Sequence, residues 1–289
     1  MQNLIKKIRF YVGYSQQELG EKLGVTFATI NRWENGKAPP NKRAQMKLYE
    51  FCKENQVPVY EMTIQRIRDE ADSIAFEDNR VILYHGSKSG LKGRIAPISR
   101  EKCDFGAGFY MGTEPSRPLT LICDFEKARF YIVSLALDGL DKFEIPADLE
   151  WAMIVAHNRG KMEIIKGTDM YEKYHHLCED KDVIVGSIAN NRMFYVLDNF
   201  FLGNITDMAL IKSLSALQLG RQYVTVTQRG CDAVRVEKEV PLSYLERRFL
   251  QDISEENRAS GIHAANEICR KYRREGAFFD EIINCTKGG

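Results

Sequence analysis

Two short stretches concentrate residue types able to hold a flat, polar ligand: Tyr84-His85-Gly86-Ser87 and Asp104-Phe105-Gly106-Ala107-Gly108-Phe109-Tyr110. A histidine offers a hydrogen-bonding ring, a tyrosine a stacking face, and glycines a backbone that a ligand can approach closely. The flanking residues say what must deliver them. Val81, Ile82 and Leu83 are an apolar run that predicts a strand over 80–84, ending on the polar His-Gly-Ser step where it opens onto a cleft. The second stretch reads as a glycine-punctuated loop entering another strand, with Tyr110 at its mouth. Further strands are predicted over 130–137, 182–188 and 221–227, the last rich in β-branched residues. Helices are predicted over 150–159, stopped by Gly160, and from Thr206 as cap through Leu217.

The order YHGS then FGAGFY is similar to the NAD-binding signature of the ADP-ribosyltransferases, in the His-Tyr branch shared by the poly(ADP-ribose) polymerases and diphtheria toxin. It is closer still to an uncharacterised bacterial family related to that branch and often found beside small antitoxin-like genes. The resemblance covers roughly residues 80–237 and implies an NAD-using transferase on a split β-sandwich of two small sheets with helices. It implies that His85 bonds an adenosine-ribose hydroxyl, that Gly86 binds the nicotinamide carboxamide through its backbone, and that Tyr110 stacks on the nicotinamide ring. Ser87 and Thr113 either line the site or satisfy local backbone. Arg159 either reaches the pyrophosphate or serves the dipole at its helix end.

A third position departs from that family. The late strand of the transferases usually begins with a catalytic glutamate, and the matching residue here is Gln222. Glutamine keeps the hydrogen bonds and loses the charge. Chain-forming polymerisation is therefore not expected, whereas mono-ADP-ribosylation, or an inactive NAD-binding domain, is. Glu237 and Glu239 are the alternative carboxylates if the register is shifted. His175-His176-Leu177-Cys178 shows metal-ligating types, but adjacent histidines share one tetrahedral ion poorly, and no metal is expected.

The N-terminal sixty residues follow another pattern. Leu4, Ile5, Ile8 and Tyr11 repeat at helical spacing. Ser15-Gln16-Gln17-Glu18 is a capping box opening a second helix that Gly24 ends. Thr26 caps a third, from Phe27 to Glu34, with Ile30 and Trp33 inward; 42–52 predicts a closing helix. The run SQQELGEKLGVTFATINRWENGKAPP resembles the Xre/Cro repressor family over about residues 3–56. The resemblance implies a third helix in the major groove of double-stranded DNA, with Thr26, Phe27, Ala28, Thr29, Asn31 and Arg32 on its DNA side. It further implies phosphate contacts from Gln16 at a helix N-terminus and from Asn35 and Lys37. Residues 1–60 hold ten Lys/Arg against five Asp/Glu, +5, so the remainder carries +1 − 5 = −4. A basic head on a slightly acidic body suits a nucleic-acid partner for the head.

At 289 residues about two domains are expected. No apolar run approaches the ~18 residues of a membrane span. The N-terminal pattern is amphipathic and no signal peptide is read, so a cytoplasmic protein is expected with no membrane partner. Seven scattered cysteines without CxxC spacing point to reduced thiols. The expected fold class is α+β: an all-helical helix-turn-helix domain (1–56), a connecting helix (57–79), an ADP-ribosyltransferase-like domain (80–240) and a helical C-terminal extension (241–289). That extension shows three apolar groups, Tyr244/Leu245/Phe249/Leu250, Ile262/Ala265/Ile268/Cys269/Tyr272 and Phe278/Phe279/Ile282/Ile283, read as helices packed on the transferase core. The functional expectation is an NAD-dependent mono-ADP-ribosyltransferase fused to a DNA-binding head, the toxin-like component of a toxin–antitoxin system. It would use NAD as substrate, an acceptor of open identity, an antitoxin protein as partner and homodimers on DNA. The alternative is a transcriptional regulator whose degenerate transferase-like domain senses NAD or ADP-ribose without catalysis.

Overall fold

Helical periodicity and caps organise the first part of the chain. The structure is a computed structural model that describes residues 2–75, 79–99, 102–188, 191–216, 220–272 and 275–286. The head is built from α1 (Gln2–Tyr11), α2 (Gln16–Leu23), α3 (Phe27–Glu34) and α4 (Lys42–Glu54). The capping box forms: Glu18 N donates to Ser15 Oγ at 3.2 Å and Ser15 N to Glu18 Oε2 at 2.7 Å. Thr29 N donates to Thr26 Oγ1 at 3.2 Å, fixing the start of α3. Ile5, Ile8, Leu19, Ile30 and Leu48 are fully buried in the head's core.

The next helix, α5 (Val59–Asp72), is a packing element with two faces. Val59 belongs to the head's core, whereas Ile64, Ile67 and Ala71 pack with Tyr84, Phe130 and Ile132 of the body. The body supplies β1 (Arg80–Ser87), β2 (Phe109–Gly112), α6 (Ser116–Ile122), β3 (Arg129–Ala136), β4 (Lys142–Glu144), α7 (Leu149–Asn158), α8 (Asp169–His176) and β5 (Val183–Ser187). Then come α9 (Asn191–Phe201), α10 (Asp207–Ala216), β6 (Arg221–Thr225), α11 (Gln228–Asp232), β7 (Val234–Val240), α12 (Tyr244–Lys271) and α13 (Phe279–Thr286). Leu217, the expected end of α10, lies outside the described residues.

The strands pair in the order β4-β5-β6-β2-β1-β3-β7, antiparallel except for β4 with β5. β1 pairs with β3 along its whole length, from Arg80 opposite Ala136 to Ser87 opposite Arg129. Between β1 and β2 the register is a single pair, Tyr84 opposite Gly112. The class is α+β. Where two small sheets were expected, two blocks, β4-β5-β6-β2 and β1-β3-β7, stay joined through that one pair. The strand expected over 80–84 runs on to Ser87, because its pairing with β3 continues after its pairing with β2 has stopped. The His-Gly-Ser step therefore lies within β1, along a one-sided seam in the sheet.

The C-terminal helices do more than cover the body. Leu245 and Phe249 of α12 complete the head's core, and Leu250 enters the cluster around α5 and α6. Asp252 accepts from Tyr49 Oη at 2.8 Å and pairs with Lys53 at 3.1 Å. Arg66 of α5 joins Glu246 at 2.8 Å and Glu70 at 2.6 Å. Phe279, Ile282 and Ile283 pack with α7 in the larger body core. The side chains of Ile262, Ala265 and Ile268 lie outside the described residues. No described helix is long and apolar enough to cross a membrane, and the described cysteines are free thiols.

Candidate functional site

Three side chains of different chemistry, His85, Tyr110 and Gln222, lie on the neighbouring strands β1, β2 and β6, with the His85 ring on the face of Phe109 and the Tyr110 ring on the face of the α7 core. His85 of β1 lies flat on Phe109 of β2, ring centroids 4.2 Å apart, and its Nδ1 is 2.7 Å from the Tyr110 carbonyl oxygen. A carbonyl only accepts, so Nδ1 carries the proton and Nε2 the lone pair. Burial lowers the His85 pKa, partly opposed by this bond, and the ring is neutral near pH 7. Tyr110 follows on β2. Its hydroxyl donates to Gly106 O at 2.8 Å and accepts from Phe105 N at 3.0 Å. Burial raises its pKa, so it stays a donor and pins the loop, whose Gly106 has φ 74°. Gln222 of β6 pairs with Gly112 across β2.

Asp104, to which the sequence reading gave no role, ties these pieces together. It is 5% exposed. Its Oδ1 accepts from Arg159 Nη2 at 2.6 Å and Nε at 3.2 Å, and its Oδ2 accepts from Gln222 Nε2 at 3.1 Å. Gln222 Nε2 also donates to Ser187 O at 3.0 Å. Arg117 of α6 feels the same carboxylate: burial lowers its pKa, the Asp104 charge opposes this, and Arg159 adds to it. Both acceptors around the Gln222 amide are oxygens that cannot donate, so Nε2 must face them and Oε1 must face away. Among the described residues, Gln222 Oε1 and His85 Nε2 have no protein hydrogen-bond partner, and neither is a sealed atom. The one sequence signal for Asp104 is an acid directly preceding the Phe-Gly-x-Gly run; its partner lies 118 residues away.

The head has its own polar cluster. Arg9 Nε bonds Glu34 Oε1 at 2.7 Å, Gln16 Nε2 bonds Glu34 Oε2 at 2.6 Å, Asn31 Nδ2 bonds Gln16 Oε1 at 3.1 Å, and Asn35 Nδ2 bonds Asn31 Oδ1 at 3.2 Å. Burial raises the Glu34 pKa, but the Arg9 and Gln16 hydrogen bonds outweigh it and hold the carboxyl below its ordinary value. The side chains of Gln16 and Asn31, expected to face DNA, are thus tied within the head. Thr26, Phe27, Ala28, Arg32, Asn35 and Lys37 are exposed and Thr29 is half-buried, which leaves an exposed face running from the start of α3 past its C-terminal end. Phe27 stands 54% exposed on it.

The family described as "Protein of unknown function (DUF3990)" matches residues 81–236. The chain belongs to the DUF3990 family. Residues 5–46 match the model described as "Helix-turn-helix", so the DUF3990 domain is fused to a helix-turn-helix DNA-binding domain. No curated protein matches the chain, and no solved structure does.

The remaining expected residues of the DUF3990 domain spread out. Gly86 lies in the seam strand, and a Cβ there would meet Pro118 O at 2.7 Å and Ile122 Cγ2 at 2.9 Å; α6 packs on β1 because residue 86 has no side chain. Ser87 closes β1 opposite Arg129. Thr113 is occupied by backbone: its Oγ1 donates to Arg221 O and accepts from Arg221 N, each at 3.2 Å. Glu237 and Glu239 lie on β7, two strands beyond β1, where Glu237 bonds Ser134 and Arg235 and Glu239 pairs with Arg129. They do not supply the seam with a carboxylate. His175, His176 and Glu179 bring ligand-type atoms within 4.8 Å of one another, all exposed, with His176 Nδ1 already 2.7 Å from Glu179 Oε1. A crevice of about 480 Å³ between head and body is lined by Trp33, Pro40, Arg66, Glu70 and Lys238 among others, and by none of the expected site residues.

Proposed function

We propose that the DUF3990 domain is an NAD-using mono-ADP-ribosyltransferase, brought to DNA by its helix-turn-helix head. One observation carries the reading: among the described residues, His85 Nε2 and Gln222 Oε1 are acceptor atoms without protein partners, on the two strands that flank the one bearing Tyr110. Such acceptors suit ribose hydroxyls, which donate, and a half-buried aromatic edge suits a planar nicotinamide. In the reaction the bond between the nicotinamide nitrogen and its ribose breaks. Nicotinamide leaves with the electron pair, an acceptor nucleophile bonds the ribose carbon, and the acceptor loses its proton to solvent. The site's part is to hold the ribose and orient the ring while positive charge grows on the sugar. Arg159 and Arg117, two guanidinium groups beside Asp104, suit an anionic ligand such as a dinucleotide pyrophosphate.

A second reading, a regulator that senses NAD or ADP-ribose without turnover, is favoured by the amide at residue 222 and by the engagement of the nearby acid, Asp104, with Arg159. In the transferase reading the protein is the toxin-like partner of an antitoxin, and the head serves operator binding as a homodimer. The test is label transfer from adenine-labelled NAD to cell lysate by wild type and Tyr110→Ala. Label on a macromolecule with wild type only supports the transferase. No label and no released nicotinamide, with NAD still binding in calorimetry, favours the sensor.

A further inference from the structure

The position that looks like a lost acid has an acid bonded to it. Gln222 Nε2 is 3.1 Å from Asp104 Oδ2 and 3.0 Å from Ser187 O, deep in the wall of the seam. A glutamate in the same place would set a second carboxylate against Asp104 and against a carbonyl oxygen. Two buried carboxylates at that distance cannot both ionise, so one would hold a proton. Asp104 is equally constrained. Both of its carboxylate oxygens receive donors, Arg159 on one and Gln222 on the other. An asparagine has one acceptor atom and would turn its NH₂ on one of those donors.

We propose that Asp104 is the positioning acid of this site: it dictates glutamine at residue 222 and turns Gln222 Oε1 outward as a fixed acceptor for a ligand hydroxyl. The negative charge sits on the glycine loop, one hydrogen bond from residue 222. The identity of the ligand as an NAD ribose rests on the transferase reading; the pairing of Asp104 with Gln222 does not.

The test uses the full chain as wild type, Asp104→Asn, Gln222→Glu and the double variant. Thermal melts are taken at about pH 7.5 and about pH 5.5, with NAD affinity by calorimetry and nicotinamide release measured in parallel. Gln222→Glu is expected to melt below wild type at the higher pH and to regain part of the difference at the lower, where one carboxyl is protonated. Asp104→Asn should relieve Gln222→Glu, so that the double variant is more stable than the sum of the two single losses. Each single variant should weaken NAD binding about tenfold, the scale of one buried hydrogen bond, with the double recovering part of it. Additive melts, or a Gln222→Glu melt that is insensitive to pH, overturn the pairing. Coupled melts with Asp104→Asn binding NAD and releasing nicotinamide as wild type does overturn the positioning role. A wild type that binds no NAD sinks the transferase and sensor readings together with the ribose assignment, and the melts still decide the pairing.

Discussion

The head and the body each bury an acid between an arginine and a glutamine, and the two clusters end differently. In the head, Glu34 takes Arg9 and Gln16, and the Gln16 Oε1 goes on to accept from Asn31. In the body, Asp104 takes Arg159 and Gln222, and the Gln222 Oε1 accepts from no described residue. The first network closes on itself and holds α1, α2 and α3 together. The second stops at the seam with one acceptor left over. A satisfied polar network specifies a fold, whereas a preformed acceptor without a partner is what a ligand needs.

The sharpest way to break the comparison is to delete each acid. Glu34→Ala takes the carboxylate from the half-buried Arg9, and chemical unfolding should show a loss of about 2 kcal/mol while the remaining folded protein binds NAD normally. If NAD binding falls as well, the two networks are not separate. The glutamines should part more cleanly. Gln16→Ala and Gln222→Ala each remove one donor from a buried carboxylate and should each cost about 1–2 kcal/mol, yet only the second should weaken NAD in calorimetry.

Acid separates the regions by where each titrates. Burial lowers the pKa of both His85 and His157 from an ordinary value of 6.5, so the unfolded chain binds those protons more readily. Stability is therefore lost as pH falls below about 6.5, and NAD affinity should fall once Nε2 of His85 is protonated. Glu34 is lowered from 4.5, so its contribution is present above that value and is lost as pH falls through its lower folded value. Melting against pH should show the histidine step first and the Glu34 step later, with His85→Asn reducing only the first. The smallest effect on stability belongs to the DNA face. Phe27→Ala and Arg32→Ala should leave the melting temperature unchanged, and Arg32→Ala should reduce the salt slope of DNA binding by about 1 if it meets a phosphate.

Much of the head was legible in the residues. Ser15 with Glu18, Thr26 before Phe27 and the spacing of Leu19, Leu23, Ile30 and Trp33 act over three or four positions, and the helices formed where those signals stand. The strand behind His85 was legible from Val81, Ile82 and Leu83, but its length was not, because β3 holds Gly86 and Ser87 in register after β2 has let go. Leu245 and Phe249 read as one apolar face; that they finish the core of a domain nearly two hundred residues earlier is a matter of packing.

By itself the sequence determined the helices of the head and the strand behind His85, since caps and periodicity depend on near neighbours. Tertiary structure alone decided that Asp104 would meet Gln222, that the sheet would part beside His85, and that α12 would bind head to body. Each of these rests on atoms brought together across more than twenty-five residues of chain, where the pattern of residue types carries no record of distance.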